Sequence, residues 1–195
     1  LLSRHIILCR IFCYHTLTMN EKDFLKLQNG SDIRGIALEG VDGEYVNLTA
    51  EVCRKIGAAF AVQLCKKTGK KAEELIIGVG RDSRLSGQSL EHYLVEGLRS
   101  KNADVVLCSL ATTPAMFMGT VFEQTLFDGS VMITASHLPF NRNGFKFFDK
   151  DGGLEHDDIT EILKEAATQN PSGKSNIENE CGTFDLLELY SSHLR

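Results

Sequence analysis

Three short apolar runs, residues 75–79, 103–108 and 130–134, are separated by stretches with helical periodicity. That alternation restricts this chain more than any other feature. Each run is predominantly apolar rather than alternating, the pattern of a strand covered on both sides. Ahead of the first, Val52, Ile56, Ala59, Phe60 and Leu64 fall at i, i+4, i+7, i+8 and i+12, which is one buried helical face. Asn47 or Thr49 is placed to cap that helix, Glu51 and the pair Lys66 and Lys67 suit its dipole, and Gly69 stops it. A second helix opens at Ser86 and turns Leu90, Tyr93, Leu94, Gly97 and Leu98 inward. Thr112-Thr113-Pro114 opens a third, expected to run to about residue 124, with proline at the first helical position. Asp157-Asp158 opens a fourth, carrying Ile159, Ile162, Leu163 and Ala166. Strands of this kind alternating with amphipathic helices make an α/β sheet with helices on both faces.

The 195 residues suffice for one domain with a full core and the beginning of another. Residues 1–24 are expected to be a poorly ordered N-terminal extension, 25–170 the α/β domain, 171–182 a linker rich in Ser, Gly, Asn and charge, and 183–195 the start of an incomplete second domain. The chain opens on Leu, and residues 1–20 hold Arg4 and Arg10 with no Asp or Glu. That fits an organelle transit peptide or translated sequence ahead of Met19, leaving chloroplast and other plastid or cytoplasmic locations open. The apolar run at 6–14 is interrupted by Arg10 and too short to span a bilayer. A net charge of -5 with no basic stripe excludes general nucleic-acid binding as a partner class, and nothing indicates a membrane partner. The six cysteines contain no C-x-x-C pair. Cys53 and Cys65 share one helix about 18 Å apart at 1.5 Å per residue, so they cannot bridge. The cysteines are expected to be reduced and mostly buried.

Chemistry-bearing residues gather in three polar loops, each beside an expected strand. Residues 31–35 carry Arg34, 80–84 carry Arg81 and Arg84, and 135–146 carry Ser136, His137 and Lys146. If the sheet brings these strand ends together, arginine forks and a lysine point charge surround a serine hydroxyl, which is what a phosphate ester needs. Taken singly, each has a duller reading: Ser136 as a turn residue, His137 as structural, Arg81 and Asp82 as a local ion pair. Gly78-Val79-Gly80-Arg81-Asp82-Ser83 lacks the third glycine of a dinucleotide loop. Gly173-Lys174-Ser175 lacks the first glycine of a P-loop, its place being held by Thr168.

Four motifs in order resemble those of the α-D-phosphohexomutase family, which includes phosphoglucomutases, phosphomannomutases and phosphoglucosamine mutases. Ser31-Asp32-Ile33-Arg34-Gly35 is similar to its D-I-R-G loop, Gly80-Arg81-Asp82-Ser83-Arg84 to G-R-D-x-R, and Thr112-Thr113-Pro114 to its T-P element. Thr134-Ala135-Ser136-His137, with Pro139 and Asn143-Gly144-Phe145-Lys146, resembles T-A-S-H-N-P-x-x-x-N-G-x-K. The resemblance implies a three-layer α/β/α sandwich around a mostly parallel mixed sheet. It implies that Ser136 carries a transferable phosphate, that Arg34, His137 and Lys146 stand beside it as catalytic residues, and that Arg81 and Arg84 bind or shape the phosphate site. The small-molecule partner is then a hexose phosphate, moved between its 1- and 6-phosphates through a hexose bisphosphate. Mg²⁺ would be bound through the serine phosphate, with its other ligands in a second domain.

Leu138 departs from the family's usual Asn after the histidine. The family's D-G-D-x-D-R metal loop, its sugar-recognition loop and its distal phosphate site do not occur in these residues, so the fragment is expected to be inactive alone. Two rivals are a non-catalytic phosphosugar-binding or regulatory fragment and a serine hydrolase. The hydrolase is disfavoured because no glycine flanks Ser136 as a G-x-S-x-G elbow requires.

Overall fold

A computed structural model describes residues 19–171 and 181–195. The N-terminal residues 1–18, including Cys9, Cys13 and the transit-peptide reading, lie outside the described residues. So do 172–180, which hold most of the expected linker and the Gly173-Lys174-Ser175 match. The helices are α1 (Glu21–Leu25), α2 (Ala50–Thr68), α3 (Gly87–Arg99), α4 (Thr113–Met118), α5 (His156–Thr168) and α6 (Leu186–His193). The strands are β1 (Gln28–Asn29), β2 (Asp32–Ile36), β3 (Ile76–Arg81), β4 (Asp104–Leu110), β5 (Gly129–Ile133), β6 (Arg142–Asp149), β7 (Gly152–Gly153) and β8 (Gly182–Thr183).

These strands form one mixed sheet in the order β1-β2-β6-β5-β3-β4-β8, with β7 beside β6. From β5 to β8 the pairings are parallel. From β5 to β1 they are antiparallel, because β6 returns directly from the loop that follows β5. Helices cover both faces, giving the α/β/α sandwich.

The larger core lies under α2, α3 and α5. Ile33, Ile77, Val79, Val131, Ile133, Phe145 and Phe147 meet Phe60, Ile56, Leu94 and Ile162 there. Thr49 caps α2 by accepting the Val52 N–H at 3.3 Å, and Gly69 ends it at φ 73°. The five inward residues expected from the periodicity are buried, and so are Cys53, Gly57, Ala58 and Ala61. The buried arc is wide because α3 and α5 flank α2 while the sheet lies beneath it. The α2–α3 crossing brings backbones into contact: a Cβ on Gly97 would collide with the Arg54 carbonyl, and one on Gly57 with that of Leu94. The opposite face has a smaller core of Met116, Phe127, Met132, Phe148 and Leu186 under α4 and α6.

Three expectations change. Residues 20–24 belong to the folded body: Asn20 and Asp23 form a capping box and Phe24 is fully buried, so the domain starts before 25. The third helix ends at Met118 rather than near 124. There the Thr120 hydroxyl takes the Phe117 and Asp149 carbonyls, and that of Thr125 takes the Gly119 carbonyl, in competition with the helix ladder. Ser86 begins α3 without a side-chain cap, because its hydroxyl instead accepts from Asn143 Nδ2 at 2.9 Å. Residues 182–195 also pack on this sheet. β8 pairs with β4, and Leu186 of α6 is buried in the smaller core. Phe184, Leu189 and Tyr190 find apolar cover there.

Candidate active site

Strand register sorts the site residues before any side chain is considered. Neighbours in register project to the same side, and residues two apart on a strand share a side. Arg34 is opposite Gly144, Met132 opposite Lys146, and Gly80 opposite Met132. Asp32, Arg34 and Lys146 therefore project from the α4 face, the side of Met132. Arg81 is opposite Ile133, which is opposite Phe145, and these belong to the α2 face.

The contacts agree. Lys146 Nζ donates to both Asp32 carboxylate oxygens at 2.7 Å, and Arg34 Nη2 donates to Asp32 Oδ2 at 2.8 Å. Arg34 Nη1 donates to the Thr134 carbonyl, two residues before Ser136. The Arg34, Asp32 and Lys146 side chains are only 10%, 14% and 26% exposed, so solvent screens this cluster less than it screens a surface pair. Two cations against one carboxylate leave a net positive charge beside the stem of the serine loop. Gly144 lies where a side chain would collide with the Ile33 carbonyl, which lets β6 press against β2 at this point.

Ser136 follows the buried end of β5. It is exposed, its backbone is left-handed at φ 54°, and among the described residues nothing hydrogen-bonds its hydroxyl. His137 is exposed beside it, with no hydrogen bond between the two side chains. They are not the nucleophile–base couple of a serine hydrolase. Arg84 touches the loop most extensively, donating to the carbonyls of Ser136 at 2.5 Å, Leu138 at 2.9 Å, Pro139 at 3.0 Å and Arg142 at 3.2 Å. Its guanidinium is thus committed to backbone and to Asp82, 3.3 Å away. Arg84 shapes the loop, and these contacts leave its fork no free edge to bind a phosphate.

Arg81 does not join the cluster around Ser136. Its Nε lies 3.5 Å from Glu91 Oε2 on α3. Burial pushes the Glu91 carboxyl up, with Arg81 partly opposing. The expectation that Arg34, Arg81, Arg84 and Lys146 all surround the serine is corrected on this point. Arg34 and Arg84 bracket the loop, Lys146 joins through Asp32, and Arg81 serves the other face.

Several further residues matter here, and the local pair expected of Arg81 and Asp82 is replaced by Arg81 with Glu91 and Arg84 with Asp82. Asp32 is the shared counter-ion. Asp82 accepts the Thr134 hydroxyl at 2.6 Å, and Thr134 in turn accepts the Ser136 N–H at 2.9 Å. Asn143, fully buried, ties the return strand to Ser86. Glu44 holds Asn141 at 2.7 Å and Arg142 at 2.5 Å, bonds that keep its carboxyl below the usual range. The one visible signal was charge in an otherwise apolar strand, with Asp32 and Arg34 alternating against Ile33. Beside the loop, Arg34, Glu44, Leu138, Asn141 and Arg142 line part of a hollow of about 390 Å³.

Among the described residues no three His, Cys, Asp or Glu side chains group to hold a metal ion. Ser136 could offer a single oxygen, so these residues do not make a Mg²⁺ site by themselves. No helix among them is long and apolar enough to cross a membrane.

Residues 25–173 match the family model described as phosphoglucomutase/phosphomannomutase, alpha/beta/alpha domain I. A phosphoglucosamine mutase of Geobacter sp. (strain M21) is 38% identical over 140 residues, 72% of this chain and 28% of its own length. One of Nautilia profundicola is 36% identical over 175 residues, 88% of this chain and 36% of its own length. The crystal structure of a phosphoglucomutase/phosphomannomutase family protein from Burkholderia thailandensis aligns with a TM-score of 0.65 at 25% identity. It covers 90% of this chain and 36% of that one. The chain thus spans about a third of the length of the proteins it matches.

Proposed function

Because the chain belongs to the phosphoglucomutase/phosphomannomutase family through its α/β/α domain I, we propose that Ser136 accepts and returns the phosphate of a hexose phosphate. The observation that carries this is the unbonded, exposed Ser136 hydroxyl on a left-handed turn, on a loop gripped by Arg34 and Arg84. In the forward step Ser136 Oγ attacks the phosphorus of a hexose bisphosphate. The Oγ–P bond forms, the bond from phosphorus to the sugar oxygen breaks, and the hydroxyl proton leaves to the sugar or solvent. The reverse step returns the phosphate to the other sugar oxygen. Such transfers depend on alignment and charge stabilisation more than on covalent machinery.

A serine phosphate adds about two negative charges. The Arg34–Asp32–Lys146 cluster answers with net positive charge, and Lys146 can shift one of its donors from Asp32 to the phosphate. His137 is exposed beside the hydroxyl and is available to the proton. Mg²⁺ enters this reading only as a partner of the serine phosphate, with its remaining ligands supplied from outside these residues. These 195 residues accordingly perform the serine half of the reaction and do not interconvert hexose 1- and 6-phosphates alone. The name carried by the curated relatives makes a hexosamine phosphate one substrate to try.

Intact-mass measurement with peptide mapping tests the reading. After incubation with a hexose 1,6-bisphosphate and Mg²⁺, the chain should gain about 80 Da, one phosphate group, on Ser136, and Ser136→Ala should gain none. Phosphate on another residue, or none at all, would contradict it.

A further inference from the structure

The φ of 54° at Ser136 is one that an L-residue adopts only when its surroundings impose it. The surroundings are visible. The Asp82 carboxylate accepts the Thr134 hydroxyl at 2.6 Å, and the Thr134 oxygen accepts the Ser136 N–H at 2.9 Å. Arg84 Nη2 donates to the Ser136 carbonyl at 2.5 Å. Asp82 also accepts the Arg84 N–H at 3.1 Å, and its own N–H donates to the Ile133 carbonyl at 3.0 Å, tying this loop to the end of β5. Both backbone polar groups of residue 136 are therefore engaged, while its hydroxyl is left free.

We propose that Asp82, Thr134 and Arg84 are positioning residues that hold residue 136 in the left-handed conformation, so that its hydroxyl stands out where a phosphate can reach it. The link to phosphate transfer rests on the function proposed above. The conformational link does not. The grip is on backbone throughout: Arg84 takes the Leu138 carbonyl at 2.9 Å and makes no use of that side chain. This accounts for leucine serving at a position where the resembled motif has asparagine.

A double-mutant cycle in the full 195-residue chain, read by urea unfolding, tests the conformational link. Glycine adopts positive φ freely. Ser136→Gly should therefore be more favourable to the folding equilibrium constant, by at least about threefold, when Thr134 is present than in the Thr134→Val background, where residue 136 can relax. Thr134→Ser keeps a hydroxyl and should keep the coupling. Equal Ser136→Gly effects in all backgrounds would overturn the proposal. If Thr134→Val does not fold, amide exchange at Ser136 in Asp82→Ala replaces it. Exchange at least about tenfold faster than in the unmodified chain is expected, and an unchanged rate overturns the proposal.

The second arm follows phosphate uptake from a hexose 1,6-bisphosphate. The rate should fall at least about tenfold in Thr134→Val and stay near normal in Thr134→Ser. An undiminished rate in Thr134→Val overturns the role in transfer. Coupling in the cycle with no uptake even by the unmodified chain supports the positioning role and removes the phosphoserine function.

Discussion

The two faces of this sheet are built from the same strands and do different work. Under α2, α3 and α5 the middle of the sheet is apolar, and the polar strand residues Gln28, Arg81, Asn143 and Asp149 stand at strand ends, where they pair with the helices. Under α4 and α6 the apolar cluster is smaller and gives way, across β6 and β2, to Asp32, Arg34 and Lys146. The difference shows how a single register can place a dry core and a charged site one residue apart along the same strands. The α2 face holds the larger apolar core, and the α4 face gives up part of its apolar area to a charged cluster at the stem of the 135–141 loop.

Deletions should separate the faces most clearly. Phe60, fully buried and 4.7 Å from Phe147 between ring centroids, should cost about 3–5 kcal/mol when replaced by alanine. Phe148→Ala removes the same atoms from the α4 face, where the ring keeps 9% exposure, and should cost less. Paired urea melts decide this, and equal losses would erase the distinction.

Next in size is the charge cluster. Lys146→Met leaves Asp32 with Arg34 as its partner and should cost about 1–3 kcal/mol. Asp32→Asn added to it should recover part of that loss, because the under-paired carboxylate is gone. Simple additivity in the cycle would mean that the cluster does not act as a unit.

Thiol labelling gives a smaller but residue-specific contrast. Burial pushes the Cys108 thiol up to about 12 and the Cys53 thiol higher still, so both should resist alkylation in the native protein. Cys108 belongs to the smaller cluster and Cys53 to the larger. Under slow native-state labelling Cys108 should react first, since less apolar contact must be broken to expose it. The opposite order would reverse the ranking of the two cores.

The smallest effect is at the strap that braces the site. Asn141 and Arg142 hold the Glu44 carboxyl below its usual value of about 4.5. Its stabilising contribution is therefore present above that value and is lost as pH falls through the depressed one. Glu44→Gln should lower the melting temperature slightly at about pH 7, and the difference should shrink as pH falls below the usual carboxylate range. A difference that persists in acid would show that the bond, rather than the charge, matters.

Much of the scaffold was legible because it depends on local pattern. The continuous runs became β3, β4 and β5, and the capped, periodic stretch 50–68 became α2. What was illegible depends on pairing. Nothing in the order of residues says that Lys146 is opposite Met132, and that register alone separates Arg34 and Lys146 from Arg81. How Arg84 shapes the loop was equally hidden, because a sequence shows its charge and does not show the four carbonyls that claim it. Thr134 and Asp82 were invisible as a brace because their effect passes through one backbone N–H. The docking of 182–195 depended on a vacant edge of β4, which a chain read in order does not display.

On the proposed function, the face a cation occupies decides whether it serves the serine. Phosphate uptake by Ser136 from a hexose 1,6-bisphosphate, followed by intact mass in Arg34→Met, Lys146→Met and Arg81→Met, tests that most directly. At least a tenfold loss (about 1.4 kcal/mol of transition-state stabilisation) is expected for each of the first two, and a rate within about threefold of the unmodified chain for the third. Equal losses at all three positions, or a loss confined to Arg81→Met, would contradict it.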